Sequence, residues 1–119
     1  MNRDDVLREQ ARRMSEDQLL RQVRTLARSL GYHTYHPLQS RGSEPGWPDL
    51  VIAGHGHVLF RELKREQGRT TPAQDTWLAL LTAAGHDTGI WRPTDLLHGV
   101  IHAQLRAPRT QPFTGTRKD

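Results

Sequence analysis

The sequence predicts an α/β fold in which one mixed β-sheet is flanked by helices. Segments with helical periodicity alternate with short apolar segments of strand character, in the order α-β-β-β-α-β-α. Two of the strand segments are joined by a short turn rich in glycine, which indicates a hairpin. The chain has 119 residues and no cysteine, which fits a single domain whose core needs no disulfide.

The first predicted helix covers residues 15–30. Ser15 and Gln18 stand in the pattern of a capping box, and Gly31 is a typical signal for the end of a helix. The apolar residues between them recur at helical spacing and predict one buried stripe. Residues 1–14 are mostly charged or polar, so we expect an N-terminal arm that is either disordered or helical.

Four segments have strand character, namely residues 32–38, 49–53, 58–64 and 88–91. The glycine-rich turn at residues 54–57 joins the second and third segments, which should therefore be antiparallel neighbours. The loop before this hairpin, residues 39–48, is rich in glycine, serine and proline.

The second helix begins with Thr71 as its N-cap, Pro72 in its first turn and Gln74 as the capping-box partner. It runs to about residue 84, and its apolar face includes Leu80.

A last helix is predicted to start at Thr94 as its N-cap and to reach about residue 105. Residues 107–119 contain prolines, a glycine and scattered charge, so we expect a disordered tail. The folded domain should therefore cover residues 15–106.

Charge favours a nucleic-acid partner. The formal net charge is +4, the isoelectric point is about 10.3, and almost all basic residues are arginines. Arginine binds phosphate oxygens through paired hydrogen bonds. A GC-rich genome produces the same composition, so this signal alone does not decide the partner.

Three residues of the predicted hairpin carry the most informative pattern: Asp49, Glu62 and Lys64. Side chains alternate between the faces of a strand, so Glu62 and Lys64 point to the same side. Asp49 begins the partner strand and should lie opposite Glu62 or Lys64. Two carboxylates and one ammonium group can therefore converge in one small volume.

This set of groups suits phosphodiester hydrolysis. Two carboxylates form a hard oxygen site of the kind that binds Mg²⁺ or Mn²⁺. The metal polarises a phosphoryl oxygen and activates water, while Lys64 can stabilise the developing negative charge. The competing interpretation is an ordinary surface salt bridge between Glu62 and Lys64, and the position of Asp49 after Pro48 argues against it.

A wider set of motifs supports the catalytic interpretation. It comprises Gly46-Trp47-Pro48-Asp49, Glu62-Leu63-Lys64, Gly68, Thr71-Pro72-Ala73-Gln74 and Trp77. With these motifs the chain resembles the VRR-NUC family of the PD-(D/E)XK nuclease superfamily, and most of all its stand-alone, phage-borne members. The likeness extends over roughly residues 15–95. It implies a restriction-endonuclease-like core.

The resemblance also implies roles for individual residues. Asp49 and Glu62 would bind the divalent metal with help from the main-chain carbonyl of Leu63, and Lys64 would be the catalytic lysine. Glu16, on the first helix, would complete the metal site or orient water.

Gln74 matches a glutamine of the VRR-NUC family that would support the catalytic lysine or contact phosphate. Both Glu16 and Gln74 also have a structural explanation, because an acid favours the start of a helix and a glutamine closes a capping box.

The resemblance and the charge together suggest where DNA would bind. Arg41 and Ser43 in the loop, and Arg65 and Arg69 after the third strand, are the expected phosphate contacts. The histidines lack zinc-site spacing. His36 is the best candidate ligand among them because it precedes the loop that leads to Asp49.

The sequence therefore predicts an endonuclease that depends on Mg²⁺ or Mn²⁺ and hydrolyses DNA, with selectivity for branched DNA as a refinement suggested by the resemblance. The resemblance also implies a homodimer. No small-molecule cofactor is expected. The alternatives are a DNA-binding module of the same fold without catalysis and an RNA nuclease. The chain has no apolar signal segment and no run long enough to span a membrane. We expect a cytoplasmic protein of a bacterial or phage-infected cell.

Overall fold

The structure is a computed structural model that describes residues 1–37 and 44–106. Its elements in chain order are α1 (Arg3–Arg13), α2 (Glu16–Ser29), β1 (His33–Tyr35), β2 (Leu50–Gly54), β3 (His57–Leu63), α3 (Pro72–Ala83), β4 (Asp87–Trp91), α4 (Pro93–Leu97) and α5 (Val100–Arg106).

The four strands form one sheet in the order β1-β2-β3-β4. β2 pairs with β1 and β3 in antiparallel fashion, whereas β4 runs parallel to β3. The predicted α/β fold with a mixed sheet and flanking helices is confirmed. The predicted hairpin is present as well, because β2 and β3 are joined through His55 and Gly56, whose φ angles are 53° and 75°. Positive φ at both positions matches the twist of a tight hairpin turn.

The hydrophobic core lies between one face of the sheet and helices α2 and α5. The sheet contributes Leu50, Ile52, Leu59, Leu63 and Trp91, and the helices contribute Leu19, Val23, Ala27, Ile101 and Leu105. α2 begins as predicted, since the side chains of Ser15 and Gln18 each bond the other's main-chain N–H. This packing fixes the start of α2 relative to the end of β3.

The other face of the sheet is only partly covered by α3. The helix has the predicted capping box between Thr71 and Gln74, yet none of its residues is fully buried. Leu80, expected on the buried face, is 58% exposed, and Tyr35 at the sheet edge is 62% exposed. An apolar surface therefore remains open on this side.

In the structure the N-terminal segment carries helix α1, Arg3–Arg13. Asn2 caps α1 through a capping box with Asp5. Ala11 and Met14 are buried, so α1 packs on the domain through its second half.

The prediction of one C-terminal helix capped by Thr94 is wrong. Pro93 already occupies the first turn of α4, and Asp95 bonds the main-chain N–H of Arg92. Thr94 instead bonds Glu66. Gly99, at a φ of 80°, separates α4 from α5.

Some predicted features differ in length or lie outside the described residues. β1 ends at Tyr35 rather than at residue 38, and the following Pro37 cannot donate a main-chain hydrogen bond. Arg41, Ser43 and the predicted tail at 107–119 lie outside the described residues. Within residues 1–37 and 44–106, the structure contains no helix that is both long enough and apolar enough to cross a membrane.

Candidate active site

β3 brings Glu62 and Lys64 together at the edge of the core. The two side chains lie on the same face, as strand alternation predicted, and Lys64 Nζ is 3.8 Å from Glu62 Oε2. Glu62 is 1% exposed and Lys64 is 8% exposed. Lys64 follows the end of β3, but its main-chain N–H still donates to Trp91 O at 3.1 Å. The pair is therefore held by the β3–β4 pairing and is not an ordinary surface salt bridge.

Asp49 joins this pair from β2. Leu50 pairs with Arg61 in the antiparallel register, which puts Asp49 opposite Glu62. The Asp49 carboxylate accepts a hydrogen bond from the main-chain N–H of Leu63 at 2.9 Å. The structure thus brings Asp49, Glu62 and Lys64 into one place.

The segment that leads into Asp49 is packed tightly on the start of α3. Gly46 has a φ of 87°, and a Cβ added there would lie 2.4 Å from the main-chain carbon of Ala73. Trp47 packs edge-on against Trp77 with ring centroids 5.0 Å apart. Glycine is required at this close approach, and the packing fixes the direction in which the chain enters β2.

Electrostatics in the site disfavour the ionised form of Glu62. Burial, and then the neighbouring Asp49 carboxylate, raise the pKa of Glu62 to about 8, with Glu16 adding to the rise and Lys64 opposing it. Within the described part of the chain, Glu62 Oε1 is buried without a hydrogen-bond partner. A buried polar oxygen without a partner is costly, so this position favours a proton or a cation.

A cleft of about 320 Å³ opens next to Asp49. Its walls are formed by residues of α2, by the residues that follow β1 and precede β2, and by the end of β3: Glu16, Asp17, Leu20, His36, Asp49 and Leu63. Glu16 is exposed at the first position of α2 and lies close enough to raise the pKa of Glu62. The structure therefore brings Glu16, the predicted helical acid, to the same cleft as Asp49.

Gln74 occupies its capping position. The side-chain oxygen of Gln74 accepts a hydrogen bond from the main-chain N–H of Thr71 at 2.9 Å. The main-chain N–H of Gln74 donates to Thr71 Oγ1 at 3.2 Å. The side-chain oxygen of Gln74 is thus engaged in the capping box, which is the structural role that the sequence offers besides a role at the catalytic lysine.

The predicted phosphate contacts Arg65 and Arg69 are both exposed beyond the end of β3. Arg65 Nη2 lies 3.4 Å from Arg12 O on α1. The turn that carries Arg65 is held by Arg92, whose Nη1 donates to the carbonyls of Arg65 and Gly68 at 2.8 and 2.6 Å. Both arginines are exposed in the segment that follows Lys64 and leads to α3.

Two contacts of the site go beyond the sequence prediction, which had named His36 only as the best candidate ligand among the histidines. His36 Nδ1 lies 2.7 Å from the main-chain oxygen of Asp49, and Asp17 lines the cleft. The position of His36 before the loop was a signal for the first. For Asp17 the signal was its position beside Glu16 at the start of α2.

The oxygen ligands at this site are chemically suited to a divalent cation, although they are few. In residues 1–37 and 44–106, no three His, Asp or Glu side chains are placed to hold one metal ion together. Asp49 and Glu62 nevertheless supply two carboxylates, one of them with a buried oxygen that no described residue hydrogen-bonds. Hard oxygen ligands of this kind suit Mg²⁺ or Mn²⁺, which commonly retain several waters when bound to protein.

Comparison with known proteins supports the fold. No protein-family model matches the chain, and no curated protein matches it. Among solved structures the chain is similar to one described as a VRR_NUC domain protein, with a TM-score of 0.57 and 23% identity, over 77% of this chain and 90% of that chain. At this identity the likeness shows a shared fold, and it is the fold that the motifs of the sequence predicted.

Proposed function

We propose that this chain is a VRR-NUC-type nuclease that uses Mg²⁺ or Mn²⁺ to hydrolyse phosphodiester bonds in DNA. The observation that carries the proposal is the convergence of Asp49, Glu62 and Lys64 at one edge of the sheet, around a buried carboxylate oxygen that has no hydrogen-bond partner among the described residues. The shared fold with a VRR_NUC domain protein supports the same assignment.

Asp49 and Glu62 are the proposed metal-binding carboxylates, with the main-chain carbonyl of Leu63 as a further ligand. A cation at Glu62 would take the place of the proton that the raised pKa retains there. When bound, the metal supplies positive charge against the phosphoryl oxygens and activates water. Glu16, across the cleft, would complete the ligand set or orient a water.

Lys64 is the proposed group that stabilises the negative charge of the transition state. Its ammonium group is nearly buried beside Glu62, and an electrostatic contact is stronger where water is excluded. The ammonium nitrogen lies 3.8 Å from Glu62 Oε2. Gln74, if it supports Lys64, does so through its amide nitrogen, because its oxygen caps α3.

DNA is the proposed substrate because the net charge is +4 and because exposed arginines follow the active-site strand. Arg65 and Arg69 would contact phosphates, together with Arg41 and Ser43 of the loop. Selectivity for branched DNA is a refinement of the proposal, and RNA is the alternative substrate.

A homodimer is proposed from the open apolar surface near α3. Tyr35, Val58 and Leu80 are 62%, 41% and 58% exposed, and exposed apolar side chains of this size are common at interfaces between subunits. A two-fold dimer would present two active sites to two strands. We propose that the protein acts in the cytoplasm of a bacterial or phage-infected cell.

The second candidate is a DNA-binding module without catalysis. It is favoured by one observation, namely that no three acidic or histidine side chains among the described residues are placed to hold a metal ion together. Against it stands the presence of both carboxylates and the lysine in one site, which a binding module does not need.

The test is cleavage of supercoiled, linear and four-way-junction DNA, and of an RNA hairpin, with Mg²⁺, Mn²⁺ or a chelator. Wild-type protein is compared with Asp49→Ala and Lys64→Ala, and with Arg28→Ala, which removes an exposed arginine on α2 far from Glu16. Metal-dependent cleavage by wild type and Arg28→Ala alone supports the proposal. Binding without cleavage under either metal, or equal cleavage by all four proteins, overturns it.

A further inference from the structure

His36 holds the main chain of Asp49 through a hydrogen bond whose direction is fixed by chemistry. The atoms His36 Nδ1 and Asp49 O are 2.7 Å apart. A carbonyl oxygen can only accept, so Nδ1 must carry the hydrogen and donate it. The imidazole ring of His36 is thereby oriented at the wall of the cleft.

The contact links two strands at the place where the site is built. β1 pairs with β2, with Tyr35 opposite Val51, and His36 is the first residue after β1. Asp49 is the last residue before β2. The ring of His36 therefore spans the end of the β1–β2 pair and lines the cleft beside Asp49 and Glu16.

Asp49 is consequently fixed from two sides. Its main-chain carbonyl accepts from His36, and its carboxylate accepts from the N–H of Leu63 at 2.9 Å. The first bond sets the orientation of the peptide that follows Asp49, and the second sets the direction of its side chain. A carboxylate that binds a metal needs both its peptide orientation and its side-chain direction to be fixed, since an error of about 1 Å in placement lowers activity severely.

We propose that His36 is a positioning residue for the Asp49 carboxylate, acting through the hydrogen bond from Nδ1 to the Asp49 carbonyl. The inference rests on the proposed metal-dependent function of the same site. Partners that orient metal ligands in this way typically change metal affinity by about 10- to 100-fold when removed. A donor nitrogen at the δ position is the only feature of the imidazole that this role requires.

The experiment measures Mn²⁺ binding by calorimetry on the full chain, with Mn²⁺ alone as the probe and no DNA. His36→Ala removes the donor. His36→Asn keeps an N–H at the δ position. His36→Gln moves its N–H one bond further out. His102→Ala, at an exposed position on α5, is the matched control.

His36→Ala and His36→Gln should each raise the Mn²⁺ dissociation constant by about 10- to 100-fold, whereas His36→Asn and His102→Ala should stay within about 3-fold of wild type. The rescue by Asn distinguishes positioning from a role of the ring as a ligand. If His36→Ala does not fold, the contrast between Asn and Gln carries the same test.

Two results would overturn the inference alone: unchanged Mn²⁺ affinity in His36→Gln and His36→Ala, or His36→Asn binding as weakly as His36→Gln while wild type binds normally. Absence of Mn²⁺ binding to the wild-type chain would overturn the proposed function and this inference with it. The wild-type measurement therefore separates the two failures.

Discussion

The main-chain N–H of Leu63 donates a hydrogen bond to the Asp49 carboxylate across a distance of 2.9 Å. This bond ties the bend before β2 to the strand that carries Glu62. Asp49 therefore has a structural contribution that is separable from metal binding, because an asparagine can still accept from Leu63 whereas an alanine cannot.

We predict that metal-free Asp49→Asn is more stable than Asp49→Ala by about 1–3 kcal/mol, the typical cost of leaving a buried donor unpaired. Both substitutions remove the charge beside Glu62, so the difference reports the hydrogen bonds and packing of the side chain rather than its charge. Urea denaturation measures it. Equal stability of the two variants would show that the bond to Leu63 N–H contributes nothing, while loss of cleavage is expected in both.

The raised pKa of Glu62 predicts how stability depends on pH in the presence of a chelator. The pKa rises from an ordinary value of 4.5 to about 8 in the folded protein, because of burial and the charge of Asp49. The folded state then binds the proton more strongly than the unfolded state. The stabilising contribution is complete below pH 4.5 and is lost as the pH rises through 8.

Glu62→Gln provides the comparison, since glutamine keeps the neutral shape at every pH. The free energy of unfolding of wild type should fall relative to that of Glu62→Gln between pH 5 and pH 8, by at most about 1.4 kcal/mol per pH unit. Parallel pH profiles for the two proteins would contradict the pKa shift.

Gly46 should be intolerant of substitution because of its position against α3. Gly46→Ala places a Cβ 2.4 Å from the main chain of Ala73 at a φ of 87°. Gly85→Ala is the matched control, with a φ of 90° but no atom of residues 1–37 or 44–106 within 4 Å of the added Cβ. The strain of positive φ is about 1–2 kcal/mol in both.

Gly46→Ala should therefore lose at least about 2 kcal/mol more than Gly85→Ala, by analogy with overpacking in a close-packed region. It should also reduce the cleavage rate, because Asp49 follows only three residues later. Thermal unfolding and cleavage assays on both variants measure these effects. Equal losses of stability in the two variants would show that the main chain of Ala73 moves to accommodate the added Cβ without measurable cost.

Weakening the pair formed by Arg61 and Asp87 should lower the stability of the protein without lowering its cleavage rate. Arg61 is buried on the core face of β3, its Nη2 is 2.8 Å from Asp87 Oδ1, and its guanidinium lies over Trp91. Glu62 and Lys64 point to the opposite face.

Asp87→Asn should lower the free energy of unfolding by about 1–3 kcal/mol, less than for a fully buried pair because Asp87 is about a third exposed. The cleavage rate per folded molecule at 25 °C should stay within about 3-fold of wild type, since the change is remote from the reacting groups. A large fall in the cleavage rate would contradict this prediction, because it would show that the Arg61–Asp87 pair affects the groups on the opposite face of β3.

Local signals in the sequence were sufficient for much of the fold. Ser15 with Gln18, and Thr71 with Gln74, form the capping boxes that the sequence predicted. The alternation along β3 placed Glu62 and Lys64 on one side. These features depend on residues a few positions apart, and the physics of such pairs is visible in the sequence.

Contacts between distant segments were not visible in the same way. Thr94 bonds Glu66, which lies in another part of the chain, and this contact together with Pro93 at the start of α4 displaces the expected cap. The His36–Asp49 contact requires the end of β1 to lie beside the start of β2. Only the folded chain brings these partners together.

The rate of DNA cleavage by Glu62→Gln under single-turnover conditions tests the central claim most directly. Glutamine preserves the neutral shape of the buried side chain but cannot serve as the second metal-binding carboxylate. We predict a folded variant whose DNA affinity in the presence of a chelator is within about 3-fold of wild type and whose rate with Mg²⁺ or Mn²⁺ is lower by at least about 100-fold. A rate within about 3-fold of wild type would contradict the assignment of Asp49, Glu62 and Lys64 as a metal-dependent nuclease site.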